Sequence, residues 1–115
     1  MLAVIIYKII SAPEWRTAEA EGVFHGAAID LADGYIHFSA AEQVAETAAK
    51  HFAGKSDLLL VSIDADRLGD ALKWEVSRGG ALFPHLYAPL SLDAVTRVAL
   101  LPLDPDGRHD FRGLL

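Results

Sequence analysis

"ADGYIHFSAAEQVAET", residues 32–47, is the stretch on which the fold turns. Tyr35–Phe38 suit a short strand and run directly into Ser39, with Glu42 three positions later. A cap serine followed at that spacing by glutamate is the signature of a helix start. Val44, Ala45, Ala48, Ala49 and Phe52 then fall at helical spacing, predicting one apolar stripe that Gly54 closes. Alternation along the strand sends Ile36 and Phe38 to one face and Tyr35, His37 and Ser39 to the other. The Ile/Phe face suits the core, so His37 is directed at solvent or a cleft. Two readings stand: a histidine satisfied by a neighbour, or a ligand-binding histidine at a cleft mouth. Ser39 is assigned to capping ahead of any nucleophilic role. The N–H groups of the helix start offer an anion site, and Gln43 is placed on the same cleft.

Working outward, residues 3–10 read as a buried strand rich in Val and Ile, with Tyr7 and Lys8 as its polar interruptions. Ser11, Pro13 and Glu14 open a helix through about Glu21, stopped by Gly22. Residues 23–33 read as irregular, with "DLADG" (30–34) a turn. "LLLVSI" (58–63) is a buried strand, "DADRLGDAL" (64–72) a turn or short helix, and "KWEV" (73–76) a short strand. "SRGGALFPHLYAPLS" (77–91) reads as a loop stiffened by Pro84 and Pro89, and "AVTRVALL" (94–101) as the last strand. The tail, 104–115, is turn-rich with a mobile end. One βαβ alternation is too few for a doubly wound fold. The expectation is a single α+β domain over 1–115 with a mostly antiparallel or mixed sheet.

Composition narrows function. The 115 residues are 52% hydrophobic, enough for a packed core, and carry a net charge of −6. An acidic chain argues against a nucleic-acid or anionic-membrane surface, though it leaves room for a local basic pocket. No cysteine is present, which excludes disulfides, thiolate metal sites and cysteine nucleophiles and fits a cytoplasmic setting. The apolar start "MLAVIIYKII" is too short for a span and lacks the features of a signal peptide. The histidines form no HxH, HxxxH or HExxH pattern, so no metal is expected. GxGxxG, P-loop and GxSxG motifs are absent. His25, His51 and His109 read as surface residues.

A second cluster lies in "LKWEVSRGGALFPHLYAPL", residues 72–90. With Trp74 packed inward, Glu75 projects to the other face, near Arg78, His85 and Tyr87. The glycines let backbone approach a ligand, and stiff polar loops commonly build sites. The plainer alternative is a solvated Glu75 and rings that merely cover the core edge. A third group is Tyr7, Lys8 and Trp15. A lysine in a run of isoleucine either has a buried partner or marks an edge strand, and Trp15 is either core or a stacking platform.

"IYKI", Trp15, "DGYIHFSAAEQVAETAAKHFAG", "LLLVSID", "LKWEVSRGGALFPHLYAPL" and the closing strand together resemble the bacterial family called domain of unknown function 952, from Tyr7 to about Leu103. That family is similar in fold to the ADP-ribosyltransferases, a split, mostly antiparallel sheet around a cleft that holds NAD. The resemblance implies that His37, in "GYIH", contacts a ribose, that Tyr7, Trp15 and Tyr87 pack on rings, and that Glu75 is the catalytic carboxylate. Lys8, Arg78 and Arg16 are the candidate basic groups, and Ser39, Gln43 and His85 complete the ligand-binding set. The chain has no counterpart to the usual glutamate motif near a final strand. Two functions therefore stay open: an ADP-ribosyltransferase-like enzyme acting on NAD, or a non-catalytic module that binds a nucleotide-like small molecule in the same cleft. An interaction protein with an exposed aromatic loop is the third class, and the oligomeric state is left open.

Overall fold

The computed structural model describes residues 4–115, without the side chain of Arg78. Ala3, the expected start of the first strand, lies outside the described residues. In chain order the elements are β1 (Ile5–Ser11), α1 (Ala12–Glu21), β2 (Val23–Phe24), α2 (Ala28–Asp33), β3 (Ile36–His37), β4 (Ser39–Ala40), α3 (Val44–His51), β5 (Leu58–Asp64), β6 (Leu72–Val76), β7 (Leu82–Leu86), β8 (Leu90–Ser91) and β9 (Val95–Leu101). Short 3-10 turns connect β5 to β9 around them. Every strand pair is antiparallel, in sheets of order β4-β1-β5-β9, β3-β7-β6 and β2-β8. The α+β expectation with mostly antiparallel sheets is met. Among the described residues no helix is long and apolar enough to cross a membrane.

The continuous apolar runs of β1 and β5 follow from burial on both faces. Ile6, Ile10, Leu59, Val61 and Ile63 enter one core with Trp15 and Ala18 of α1. Tyr7, Ile9, Leu58 and Leu60 enter a second core with Val44 and Ala48 of α3. β1 lies between β4 and β5, so Lys8 does not mark an edge strand. The expected cap of α1 is present: Glu14 N–H donates to Ser11 Oγ at 3.3 Å, and Ser11 Oγ–H donates to the Glu14 carboxylate at 2.8 Å. Gly22 ends that helix at φ +80°, a left-handed conformation that suits glycine.

Several expectations are corrected. Residues 23–33 are not irregular: they form β2 and the short helix α2, stopped by Gly34. Ser39 does not cap α3. It is drawn into β4 opposite Tyr7, its Oγ pairs with Thr47 Oγ1 at 2.9 Å, and Gln43 stands at the N-cap. The helix starts later than read, so Val44 and Ala48 face inward while Ala45 and Ala49 are exposed. Residues 77–91 are not all loop, because β7 pairs with both β3 and β6 and is the central strand of its sheet. Pro84 removes one N–H from that strand, yet its carbonyl accepts from Phe38 N–H at 3.1 Å. Trp74 is 42% exposed rather than packed inward, since β6 is the sheet edge. The tail is turn-rich, but its end is packed: Phe111 and Leu114 lie against the second core.

Candidate functional site

Where β1, β3, β7 and α3 meet, they enclose a cavity of about 320 Å³. The β3–β7 register sets His37 directly opposite His85, so both side chains leave the same face of the sheet. Both line the cavity, with Tyr35 between them: its ring centroid lies 4.6 Å from His37 and 4.2 Å from His85. The two imidazoles are 5.6 Å apart, edge to face. Tyr7, Phe38, Phe83 and Phe52 supply apolar wall, and Ser39, Thr47 and His51 supply polar edge. The volume is of the order that small-molecule sites use.

Beneath the cavity sits Asp30, 2% exposed, on α2. Its two oxygens accept from Lys8 Nζ at 3.0 and 2.9 Å, from Ala27 N–H at 2.8 Å and from His37 N–H at 3.0 Å. His37 Nδ1 lies 2.6 Å from Asp30, and its Nε2 lies 2.9 Å from Asp33. Only a doubly protonated ring donates to both carboxylates at once. Burial works against the Asp30 charge, but hydrogen bonds from His37 and the ammonium of Lys8 outweigh it and hold the carboxyl at about 2. Burial moves Lys8 below its ordinary range, and Asp30 offsets part of that. Gly26 makes room for this arrangement: at φ +125°, a Cβ there would sit 2.9 Å from Asp30 Cβ.

His85 is 3% exposed and held from behind. Its Nδ1 lies 2.8 Å from Glu75 Oε1, and Tyr87 Oη–H donates to the same oxygen at 2.7 Å. These two bonds lower the Glu75 carboxyl, and the bond to Glu75 pushes the Tyr87 phenol up to about 12. Burial, followed by the Asp33 and Glu75 charges, raises the Tyr35 phenol. His37 and His85 are thus both backed by carboxylate.

Of the residues picked from sequence, Tyr7, Lys8, His37, Ser39 and His85 line the cavity. Glu75 and Tyr87 stand behind His85 and outside the lining. Gln43 is a staple: its Oε1 accepts from Ala40 N–H at 2.9 Å and its Nε2 donates to Leu82 O at 2.7 Å. Trp15 lies in the first core, 6.0 Å from Phe24, and its buried Nε1 has no partner among the described residues. Arg16 is exposed on α1, and the Arg78 side chain lies outside the described structure. Of the histidines read as surface, His51 is exposed as expected and also lines the cavity, whereas His109 is half-buried, with Nε2 2.8 Å from Lys55 O. Sequence reasoning missed Asp30 and Asp33. The signal for Asp30 was Lys8 itself, a buried lysine that requires a carboxylate. Among the described residues no cluster of three or more His, Cys, Asp or Glu is placed to hold a metal ion.

Comparison with known proteins adds relatives of the same size. The crystal structure of protein CC0527 from Caulobacter crescentus is 56% identical, with 94% of this chain and 95% of that one covered and a TM-score of 0.91. The solution NMR structure of CC0527 is likewise 56% identical, with 96% of each chain covered and a TM-score of 0.86. No curated protein matches. The family model described as "Protein of unknown function (DUF952)" matches residues 9–98. That span takes in every cavity-lining residue except Tyr7 and Lys8 of β1, and by it the chain belongs to the DUF952 family.

Proposed function

We propose that the cavity binds a nucleotide-like small molecule, with the nicotinamide–ribose end of NAD as the candidate ligand, in the manner of the ADP-ribosyltransferases. The observation that carries this reading is the Tyr35–His37–His85 ring cluster walling a cavity of about 320 Å³. Flat rings suit stacking on a heteroaromatic base, and imidazole nitrogens suit ribose hydroxyls. Lys8 is neutralised by Asp30 and His37 is flanked by two aspartates, so a diphosphate belongs at the mouth rather than inside.

Calorimetry and ligand-observed NMR with NAD, ADP-ribose and nicotinamide test the reading. NAD should bind, and His85→Ala, which removes the cavity imidazole that has only one nitrogen engaged by a carboxylate, should weaken it about tenfold, the worth of one good hydrogen bond. No binding at millimolar concentration, with no nicotinamide released, overturns it. The non-catalytic module is favoured by one observation: Glu75, the carboxylate assigned to transfer, is outside the cavity lining. Binding without nicotinamide release selects that version.

A further inference from the structure

Glu75 is outside the cavity lining, yet it holds one of the cavity's imidazoles from behind. It is joined to His85 at 2.8 Å and to Tyr87 at 2.7 Å through one oxygen, Oε1. The β6–β7 register puts Glu75 opposite Phe83 and Lys73 opposite His85, so Glu75 approaches His85 along the diagonal from the next strand. A carboxylate accepts and does not donate, so the proton of a neutral His85 belongs on Nδ1. Nε2 then keeps its lone pair. It is the ring nitrogen on the side away from Glu75, and among the described residues it has no hydrogen-bond partner, while the His85 ring lines the cavity. His37 is the contrast, since both its nitrogens face carboxylates.

We propose that His85 is the proton acceptor of the cavity, with Glu75 and Tyr87 as positioning residues that hold its proton on Nδ1. The partner is a hydroxyl group of the ligand or a water beside it; here the inference rests on the cavity being a ligand site, as proposed above. In the step, the O–H bond breaks, its electron pair stays on oxygen, and the proton forms a bond to Nε2. The resulting imidazolium lies against the Glu75 carboxylate, which stabilises it. Tyr35, stacked at 4.2 Å, limits rotation of the ring. The family resemblance makes Glu75 the catalytic carboxylate; the geometry moves the touching role to His85.

Long-range proton–nitrogen NMR on the full 15N-labelled chain, at a pH of about 8.5 where an ordinary imidazole is neutral, reads the tautomer directly. The expected result is His85 Nδ1 in the protonated range and Nε2 in the unprotonated range. Glu75→Ala should mix the two tautomers, whereas Tyr87→Phe, which keeps the Glu75 contact, should not. A wild-type His85 protonated on Nε2 overturns the proposal without recourse to any variant. On adding NAD, the Nε2 resonance should shift together with cavity amides. If those amides move and Nε2 does not, the proton-accepting role is refuted. If nothing moves while the Nδ1–H tautomer is present, the NAD reading fails, while the tautomer still supports Glu75 as the residue that holds the His85 proton on Nδ1.

Discussion

Replacing Asp30 with asparagine removes the charge on which the whole site rests. Asp30 and Lys8 are 2% and 6% exposed, so the variant leaves a buried ammonium without its counter-ion. It also turns one acceptor oxygen into an NH2 group that must face Lys8 Nζ or Ala27 N–H, both of them donors. Breaking a buried pair from one side typically costs about 3–5 kcal/mol. Linkage gives a second, independent scale. A carboxyl held at about 2 instead of the ordinary 3.8 contributes about 2.5 kcal/mol at neutral pH. Because the folded-state value is depressed, that contribution is complete above 3.8 and is lost as pH falls through about 2. For a chain of this length each kcal/mol moves Tm by about 4 °C, so Asp30→Asn should melt about 12–20 °C lower at pH 7. Thermal and urea unfolding followed by circular dichroism measure it, and the gap from wild type should narrow toward pH 2 to 3, roughly, as both forms become neutral at this position. Lys8→Met should cost less, about 2 kcal/mol or below, because Asp30 keeps its bonds from Ala27 and His37. A drop of under about 4 °C for Asp30→Asn, or equal costs for the two variants, refutes the reasoning.

Three further outcomes follow from the same geometry. Gly26→Ala should lower stability by about 1–3 kcal/mol in urea unfolding, through its left-handed φ and the 2.9 Å approach to Asp30 Cβ; unchanged stability sinks that account. Gln43→Ala should cost about 1–2 kcal/mol and speed amide exchange at Ala40, whose N–H loses its acceptor; unaltered exchange there means that the staple is idle. Absorbance titration should find the Tyr87 phenol near 12 in the wild type and lower in Glu75→Gln, because removing the carboxylate charge favours the phenolate; an identical curve contradicts the contact.

The parts legible in the sequence were those set by local chemistry. β1 and β5 announced themselves as apolar runs, and α1 by Ser11, Glu14 and Gly22. The assignment of Ile36 and Phe38 to the core and His37 to a cleft came from alternation alone, and the structure agrees. What failed was set by pairing at a distance. Ser39 and Glu42 spell a cap, but β1 offers an open edge, and the strand it gains there outcompetes a local side-chain bond. "LFPHL" looks like loop because of its proline; only two flanking strands make it a central one. Asp30 sits in a polar turn-like stretch with nothing local to distinguish it from Asp33, so its burial depends on Lys8 arriving from 22 residues away. Glu75 and His85 were both picked, but their order, one behind the other, is a property of register that composition does not carry.

Register is also why the histidine pair is tied to the core. Ile36 faces Leu86, and both are nearly fully buried; one residue on, His37 faces His85. A slip of one residue in β7 would send Leu86 to the cavity and His85 toward the apolar core. Taking Leu86 out of the core costs roughly 1.5–3 kcal/mol, before the Glu75 contact is counted. Three bonds at the strand margins oppose the slip: Phe38 N–H to Pro84 O at 3.1 Å, Gln43 Nε2 to Leu82 O at 2.7 Å, and Tyr87 N–H to Ala71 O at 2.9 Å. Pro84 adds a veto of its own, because moving it by one place puts a residue without an N–H where a neighbouring strand has a different requirement. The spacing of the two imidazoles is therefore set by apolar side chains on the opposite face of the same strands. A truncation such as Leu86→Ala acts on the site through its neighbour in sequence, His85, as much as it acts on the core, so lost ligand binding in such a variant is a consequence of register rather than evidence of contact.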